Sequence, residues 1–452
     1  MFGSTGFIPC WRSARNEITS SHAPHKNRLA GIGARVSLSD VPNIHCAPSD
    51  PAFIGYAAAK RSGNVPATRP RLYLMKTKIH FLSVWLALSL ATAGYAQETE
   101  APAGNSDRQP TLEQQGSWSL IMVPDIQNYV KWGRNQPILD LMMAWIDENI
   151  DPLNIKMVVI VGDLVNNNEK IINDYDGNQT TQQQWTAVSR ALAKLDGKVP
   201  YIAASGNHDY SIDAQGNRRS RYSEFVTTER NPLNQKILVQ NNRNEEGLPA
   251  LDNSAYELKN LNGQDYLFVT VEYAPRDSIV EWAKKIAALE QYKKHRVVLI
   301  THAYLDTKDQ RTGPEPLRWI YWEPYNIDNK IQKSPRILLP KANTGLQLWE
   351  KLVQPATNIE LVLCGHISGE GYRQDPNAAG KAVHQVLFDA QSMGGGGGTG
   401  NGGDGWLRIL EFRPDGQTVK LRTFSPLFAA SPTTRQFAWK KDERNEFEMK
   451  FK

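Results

Sequence analysis

The stretch VPYIAAS-Gly206-Asn207-His208-Asp209 decides how this chain is read. An apolar run of strand character stops, and three ligand-type side chains follow at once. Four other stretches repeat the design in order along the chain. LIMVP leads into Asp125-Ile126-Gln127, MVVIV into Gly162-Asp163, VVLI into Thr301-His302, and IELVLC into Gly365-His366-Ile367-Ser368. In open α/β sheets ligands bind beyond the carboxyl ends of strands. Five strand ends carrying carboxylate, amide and imidazole groups describe one metal site assembled from distant sequence.

Singly, each motif is weak. An Asp after a strand is often the N-cap of the next helix, and GD or TH pairs arise by chance. Five in order, each closing a strand-like run, are a different matter. A divalent ion that polarises a phosphoryl oxygen takes carboxylate, amide oxygen and imidazole ligands. Asp125, Asp163, Asn207, His302 and His366 supply that set. Asp163, on the second strand, is the natural bridge where two ions lie about 3.5–4 Å apart.

Between the motifs strands and amphipathic helices alternate. Strands are expected at 118–124, 157–161, 199–204, 254–258, 265–271, 296–300, 359–364, 383–389, 406–412 and 418–424. Helices are expected near 136–149, 181–195, 278–290 and 343–353. Such alternation gives a sheet covered by helices, an α/β fold. The insert 303–342 carries an aromatic cluster, Trp319, Tyr321, Trp322 and Tyr325, which reads first as packing and second as a cover for a substrate group. The low-complexity stretch MGGGGGTGNGGDG, 393–405, reads as a flexible linker. Residues 406–452 read as a small C-terminal β extension, and 117–392 as the main domain.

Met75 opens MKTKIHFLSVWLALSLATAGYA: a basic start, an apolar stretch at Phe81–Leu90 and small residues before Gln97. That is the pattern of a secretory signal peptide over 75–96, which implies a secreted or periplasmic protein with no stable membrane span after cleavage. Residues 1–74 then read as an extension upstream of the true start, and 97–116 as a flexible lead-in. The alternative is an uncleaved, membrane-anchored form. Residues 97–452 hold 41 basic and 44 acidic residues, so the basic excess of the whole chain disappears and no nucleic-acid-binding surface is evident. Of the cysteines only Cys364 remains, in a strand-like run where it reads as a small buried hydrophobe.

The motif order D-x-(H/Q), GD, GNH(D/E), H, GH resembles the calcineurin-like metallophosphoesterase superfamily, over about Trp118 to Phe388. The segment from Gly403 onward is similar to the C-terminal extension of secreted bacterial members. The resemblance implies a four-layer αββα sandwich, a phosphate-ester substrate and two divalent ions (Mn, Mg, Fe, Zn or Ca). It implies that one ion is held by Asp163, Asn207, His302 and His366. The other would take Asp125, Asp163, Gln127 and Ser368. It makes His208 the proton donor to the leaving group and gives Asn207 a second contact, with phosphate.

The departures are specific. Gln127 and Ser368 stand where the family usually has histidines, so one position is left with oxygen ligands, which favour Mg, Mn or Ca over Zn. Glu370 is a candidate replacement carboxylate, against the plainer reading of an exposed loop residue. Asn166 replaces an aspartate that orients the catalytic histidine in many relatives; Asp209 is either its substitute or a structural cap. Three outcomes follow: two ions with a harder one in the altered position, one ion with activity retained, or a weakened protein of the same fold acting as an extracellular binding module.

Overall fold

In a computed structural model, the described residues are 110–169, 177–212, 217–313, 342–396 and 399–451. The signal-peptide segment and the aromatic cluster 319–325 lie outside them.

The first sheet starts from Trp118–Val123 (β1), Ile155–Ile160 (β2) and Tyr201–Ala203 (β3), all parallel. A two-stranded ribbon, Ser211–Ile212 (β4) with Arg218–Arg219 (β5), follows. The second sheet holds Leu238–Arg243 (β6), Pro249–Leu261 (β7), Gln264–Thr270 (β8), Arg296–Ile300 (β9), Ile359–Cys364 (β10), Gly369–Pro376 (β11) and Ala382–Asp389 (β12). Its order is β11-β12-β10-β9-β8-β7-β6, with β8, β9, β10 and β12 parallel. Leu407–Phe412 (β13), Thr418–Phe424 (β14), Trp439–Lys440 (β15) and Glu446–Lys450 (β16) then return to the first sheet.

Three apolar layers hold this together. Between the sheets lie Leu120, Met122, Met157 and Val159 from one side and Phe268, Val298, Leu361 and Phe388 from the other. The opposite faces of the strands turn outward onto helices, because successive side chains point to opposite sides. Ile121, Val158 and Ile160 meet the helix Gln136–Glu148 through Leu139, Met142, Met143 and Ile146, the spacing of one helical face. Val297, Leu299 and Val362 meet Ile279, Val280, Ala283 and Ile286 of the helix Asp277–Ala287. The result is the four-layer αββα sandwich. The helix Thr181–Ala193 is started by a capping box, with Gln183 N donating to Thr180 Oγ1 at 3.2 Å and Thr180 N to Gln183 Oε1 at 2.8 Å.

Two features join the C-terminal part to the rest of the fold. The C-terminal strands are built into the main sandwich: β13 pairs antiparallel with β1 from Trp118↔Phe412 to Met122↔Arg408, so the first sheet includes strands from both ends of the fold. The Gly-rich stretch is anchored too. Asn135 Nδ2 donates to the Gly400 carbonyl at 2.8 Å, Arg134 to that of Thr399 at 2.6 Å, and Asn401 N to that of Gly394 at 2.9 Å. Cys364 is buried and unbridged, and burial pushes its thiol up to about 12. No helix among the described residues is long and apolar enough to cross a membrane.

Candidate metal centre

The parallel strands of both sheets end at one edge, and there the motifs meet. Asp125 and Gln127 follow β1, Asp163 follows β2, Asn207 and His208 follow β3, His302 follows β9 and His366 follows β10. The turns that deliver them are sharp. Asp163 and His366 adopt left-handed backbone, φ 49° and 73°, conformations that non-glycine residues hold at a cost and that cluster at functional sites. Gly162, at φ 117°, is required twice over: a Cβ there would also collide with the His302 ring. A Cβ on Gly365 would strike Asp125 Oδ1, which explains the glycine before His366.

Among the described residues, Asp163, His302 and His366 form a cluster whose ligand atoms all lie within 4.8 Å of one another. Asn207 Oδ1 lies 2.8 Å from His366 Nδ1 and 3.3 Å from His302 Nε2. The donor geometry calls for a cation. His302 Nδ1 lies 2.8 Å from the Val161 carbonyl, which can only accept, so Nδ1 carries the hydrogen. The Nε2 lone pair of neutral His302 then faces two oxygens, Asp163 Oδ1 at 3.2 Å and Asn207 Oδ1 at 3.3 Å. Whichever way the Asn207 amide is turned, His302 Nε2 and Asp163 Oδ1 are two electron-rich atoms facing each other, stable only around a proton or a metal ion. A ligating histidine that donates its other N–H to a backbone carbonyl is the usual arrangement at metal sites. The residues therefore fit a divalent ion.

The electrostatics agree. Burial raises the Asp125 carboxyl well above its usual range, and the charges of Asp389 and Asp163 add to this. Burial and the His302 charge bring His366 down to about 3, so its imidazole is neutral and can ligate. Burial opposes ionisation of Asp163, but His302 and His208 outweigh it and hold that carboxyl low. Burial would lower His302, and the Asp163 carboxylate overcomes it and raises it.

His208 is partly open to solvent, and its Nε2 lies 4.0 Å from Asp163 Oδ2. Its Nδ1 lies 2.8 Å from the main-chain carbonyl of Asn166, while the Asn166 amide nitrogen donates to Asn167 Oδ1 at 2.7 Å. The backbone at 166 thus sets the ring's tautomer, leaving Nε2 as the second site of protonation. Asp209 is a structural cap. Fully buried, it accepts from the backbone N–H groups of Gly206 at 2.7 Å, Val165 at 2.9 Å and Leu164 at 3.1 Å, tying two motif loops together.

Two polar residues at the last motif have partners of their own. Glu370 pairs with Lys440 at 2.7 Å. Ser368 Oγ instead donates to Asp389 Oδ2 at 3.1 Å. Asp389, buried at the end of β12, was missed in the sequence, although the run VHQVLFD closes on it just as the other strands close on their ligands.

Behind the GNHD loop, Asp252 on β7 accepts from Ser205 Oγ at 3.0 Å and Tyr210 OH at 2.9 Å. Burial, aided by the charge of Glu272, pushes its carboxyl up to about 6, against opposition from those hydroxyls and Arg218. An unfolded Asp titrates near 3.9. Its stabilising contribution is therefore complete below about pH 4 and lost as pH rises through about 6. The size is about 3 kcal/mol, at ~1.4 kcal/mol per unit. Urea unfolding in chelator from pH 4 to 8 should show wild type losing that amount relative to Asp252→Asn. Parallel curves for the two proteins would remove Asp252 from the pH dependence.

This fold, with a histidine–carboxylate–amide cluster at its strand ends, defines a metallohydrolase architecture. The calcineurin-like phosphoesterase family matches residues 123–369, more than half of the chain, and the chain belongs to that family. It is thereby a member of a superfamily of metal-dependent phosphoesterases. YvnB, an uncharacterised protein of Bacillus subtilis (strain 168), is 24% identical over 353 residues, which cover 75% of this chain and 22% of that protein. The chain thus spans less than a quarter of that relative's length. Two solved structures are similar at low identity. One is GAP50, the anchor in the inner membrane complex of Plasmodium (12% identity, TM-score 0.37, 74% of this chain and 89% of that one). The other is PhoD (10% identity, TM-score 0.38, 75% of this chain and 71% of that one).

Proposed function

We propose that this chain is an exported phosphoesterase that hydrolyses phosphodiester or phosphomonoester bonds with two divalent ions. The observation that carries the reading is the lone pair of His302 Nε2 set against Asp163 Oδ1 and Asn207 Oδ1. Asp163, Asn207, His302 and His366 would hold one ion; Asp125, Gln127 and a shared Asp163 would hold the other. When bound, the ions supply Lewis-acid polarisation of phosphoryl oxygens and a lower pKa for an attacking water. Asn207 orients the phosphate through its amide. His208 donates a proton from Nε2 to the leaving oxygen, with Nδ1 fixed on the Asn166 carbonyl. No covalent intermediate is required.

The test is hydrolysis of bis(p-nitrophenyl) phosphate by the chain with Mg, Mn, Ca or Zn supplied in turn. Turnover is expected with at least one ion and none in chelator. Absence of turnover with every ion, from folded protein, would favour the alternative of a binding module. Gln127 and Ser368 motivate that alternative, and His208 has no evident use in it. Export rests on the segment Met75–Ala96. N-terminal sequencing of protein recovered outside the cytoplasm should begin at Gln97; a start near Met1 would remove the secretory assignment.

A further inference from the structure

We propose that Asp389 is a ligand of the altered metal position, replacing by carboxylate the imidazoles absent at residues 127 and 368. The proposal rests on the metal-dependent reading above.

The placement comes from the sheet. β12 runs parallel beside β10, with Cys364 opposite Leu387. The chain therefore leaves β12 at the edge where Gly365 and His366 leave β10. Gly369 pairs across β11 with Asp389 itself. Asp389 is 1% exposed. Its contacts are Ser368 Oγ at 3.1 Å, the Gln391 backbone N at 2.8 Å and Gln391 Nε2 at 2.7 Å, all neutral donors. Among the described residues no Lys, Arg or His pairs with it. A carboxylate buried near Asp125 and Asp163 with no cation in direct contact sits where a metal ion would supply the counter-charge.

Gln127 points independently to a ligand. It is 1% exposed, and its Nε2 donates to Asp163 Oδ2 at 3.0 Å and to Gln391 Oε1 at 2.5 Å. Its Oε1 is shielded from solvent and receives no hydrogen bond. Turning the amide over, which its shape permits, sets the oxygen against those same two acceptors. In both orientations a buried amide oxygen faces no proton donor, which is the situation of a cation ligand. Gln391 links the two residues: it accepts from Gln127 and donates to Asp389. Asp125, Asp163, Asp389 and Gln127 make an oxygen-only set, which suits Mn²⁺ or Mg²⁺ rather than Zn²⁺. Ser368, in place of a ligand, orients Asp389 by its hydroxyl, as outer partners of metal ligands commonly do.

The test is Mn²⁺ loading of the full chain, read as ions per chain by elemental analysis and as a calorimetric isotherm. The wild type is expected to take up two ions and Asp389→Asn one. The second affinity should fall by at least the roughly 100-fold that loss of an outer-shell partner can reach. Thermal unfolding in chelator should not be weakened in the variant, since a merely structural Asp389 would lower it. If Asp389→Asn does unfold more readily, Asp389→Glu decides: recovery of the second ion supports the assignment, and its continued absence overturns it. Two ions with unchanged affinity in Asp389→Asn overturn it as well. A wild type that takes one ion overturns this inference alone, and a wild type that takes none also removes the proposed function.

Discussion

Asp163→Asn should abolish both metal loading and turnover. The carboxylate touches nearly every part of the centre. It accepts from Gln127 Nε2 at 3.0 Å and from the His208 backbone N at 3.0 Å, and it faces His302 Nε2 at 3.2 Å. An amide keeps the shape but removes the charge and turns one oxygen into a donor. Asparagine tolerates left-handed backbone, so φ 49° at this position is compatible with a folded variant. The ions' stabilisation of transition-state charge is worth several kcal/mol, and each ~1.4 kcal/mol is tenfold in rate. A loss of roughly 10³-fold or more in hydrolysis of bis(p-nitrophenyl) phosphate follows, with unchanged far-ultraviolet circular dichroism. A variant that still binds its full complement of ions would sink the bridging role.

His208→Ala should separate two kinds of substrate. A nitrophenolate departs without a proton, whereas an alkoxide needs one in the transition state. General-acid catalysis contributes roughly 10²–10⁴-fold. The loss should approach that range for an alkyl phosphate ester and stay near tenfold or less for the nitrophenyl ester, by the same reasoning. The task falls to His208 Nε2, because Nδ1 lies on the Asn166 carbonyl. Equal losses on both substrates would make His208 a binding residue. The same contact makes a charged orienting residue at 166 unnecessary for setting the tautomer, although a neutral carbonyl stabilises the imidazolium less than a carboxylate would.

Much of this was legible in the chain itself. Strands and helices are declared by apolar spacing, and the observed bounds Ile359–Cys364 and Arg296–Ile300 coincide with those expected. Each ligand-type residue follows its strand by two to four positions, so local patterning alone presents Asp125, Asp163, Asn207, His302 and His366 at strand ends. Side-chain direction was less legible. Glu370 and Asp389 are both carboxylates beside the last motif, yet one turns to Lys440 and the other to Ser368.

What the sequence by itself determined is the alternation of elements, the order of the motifs and the donor chemistry. These depend on residue type and short-range spacing, which a chain carries before it folds. Only the tertiary structure decided that β13, nearly three hundred residues after β1, closes beside it in one sheet. It also decided that Asp209 caps backbone amides while Asp389, buried, accepts from Ser368 and Gln391. Those outcomes follow from pairing between distant strands, whose register is set by the packed sandwich as a whole and by no local signal.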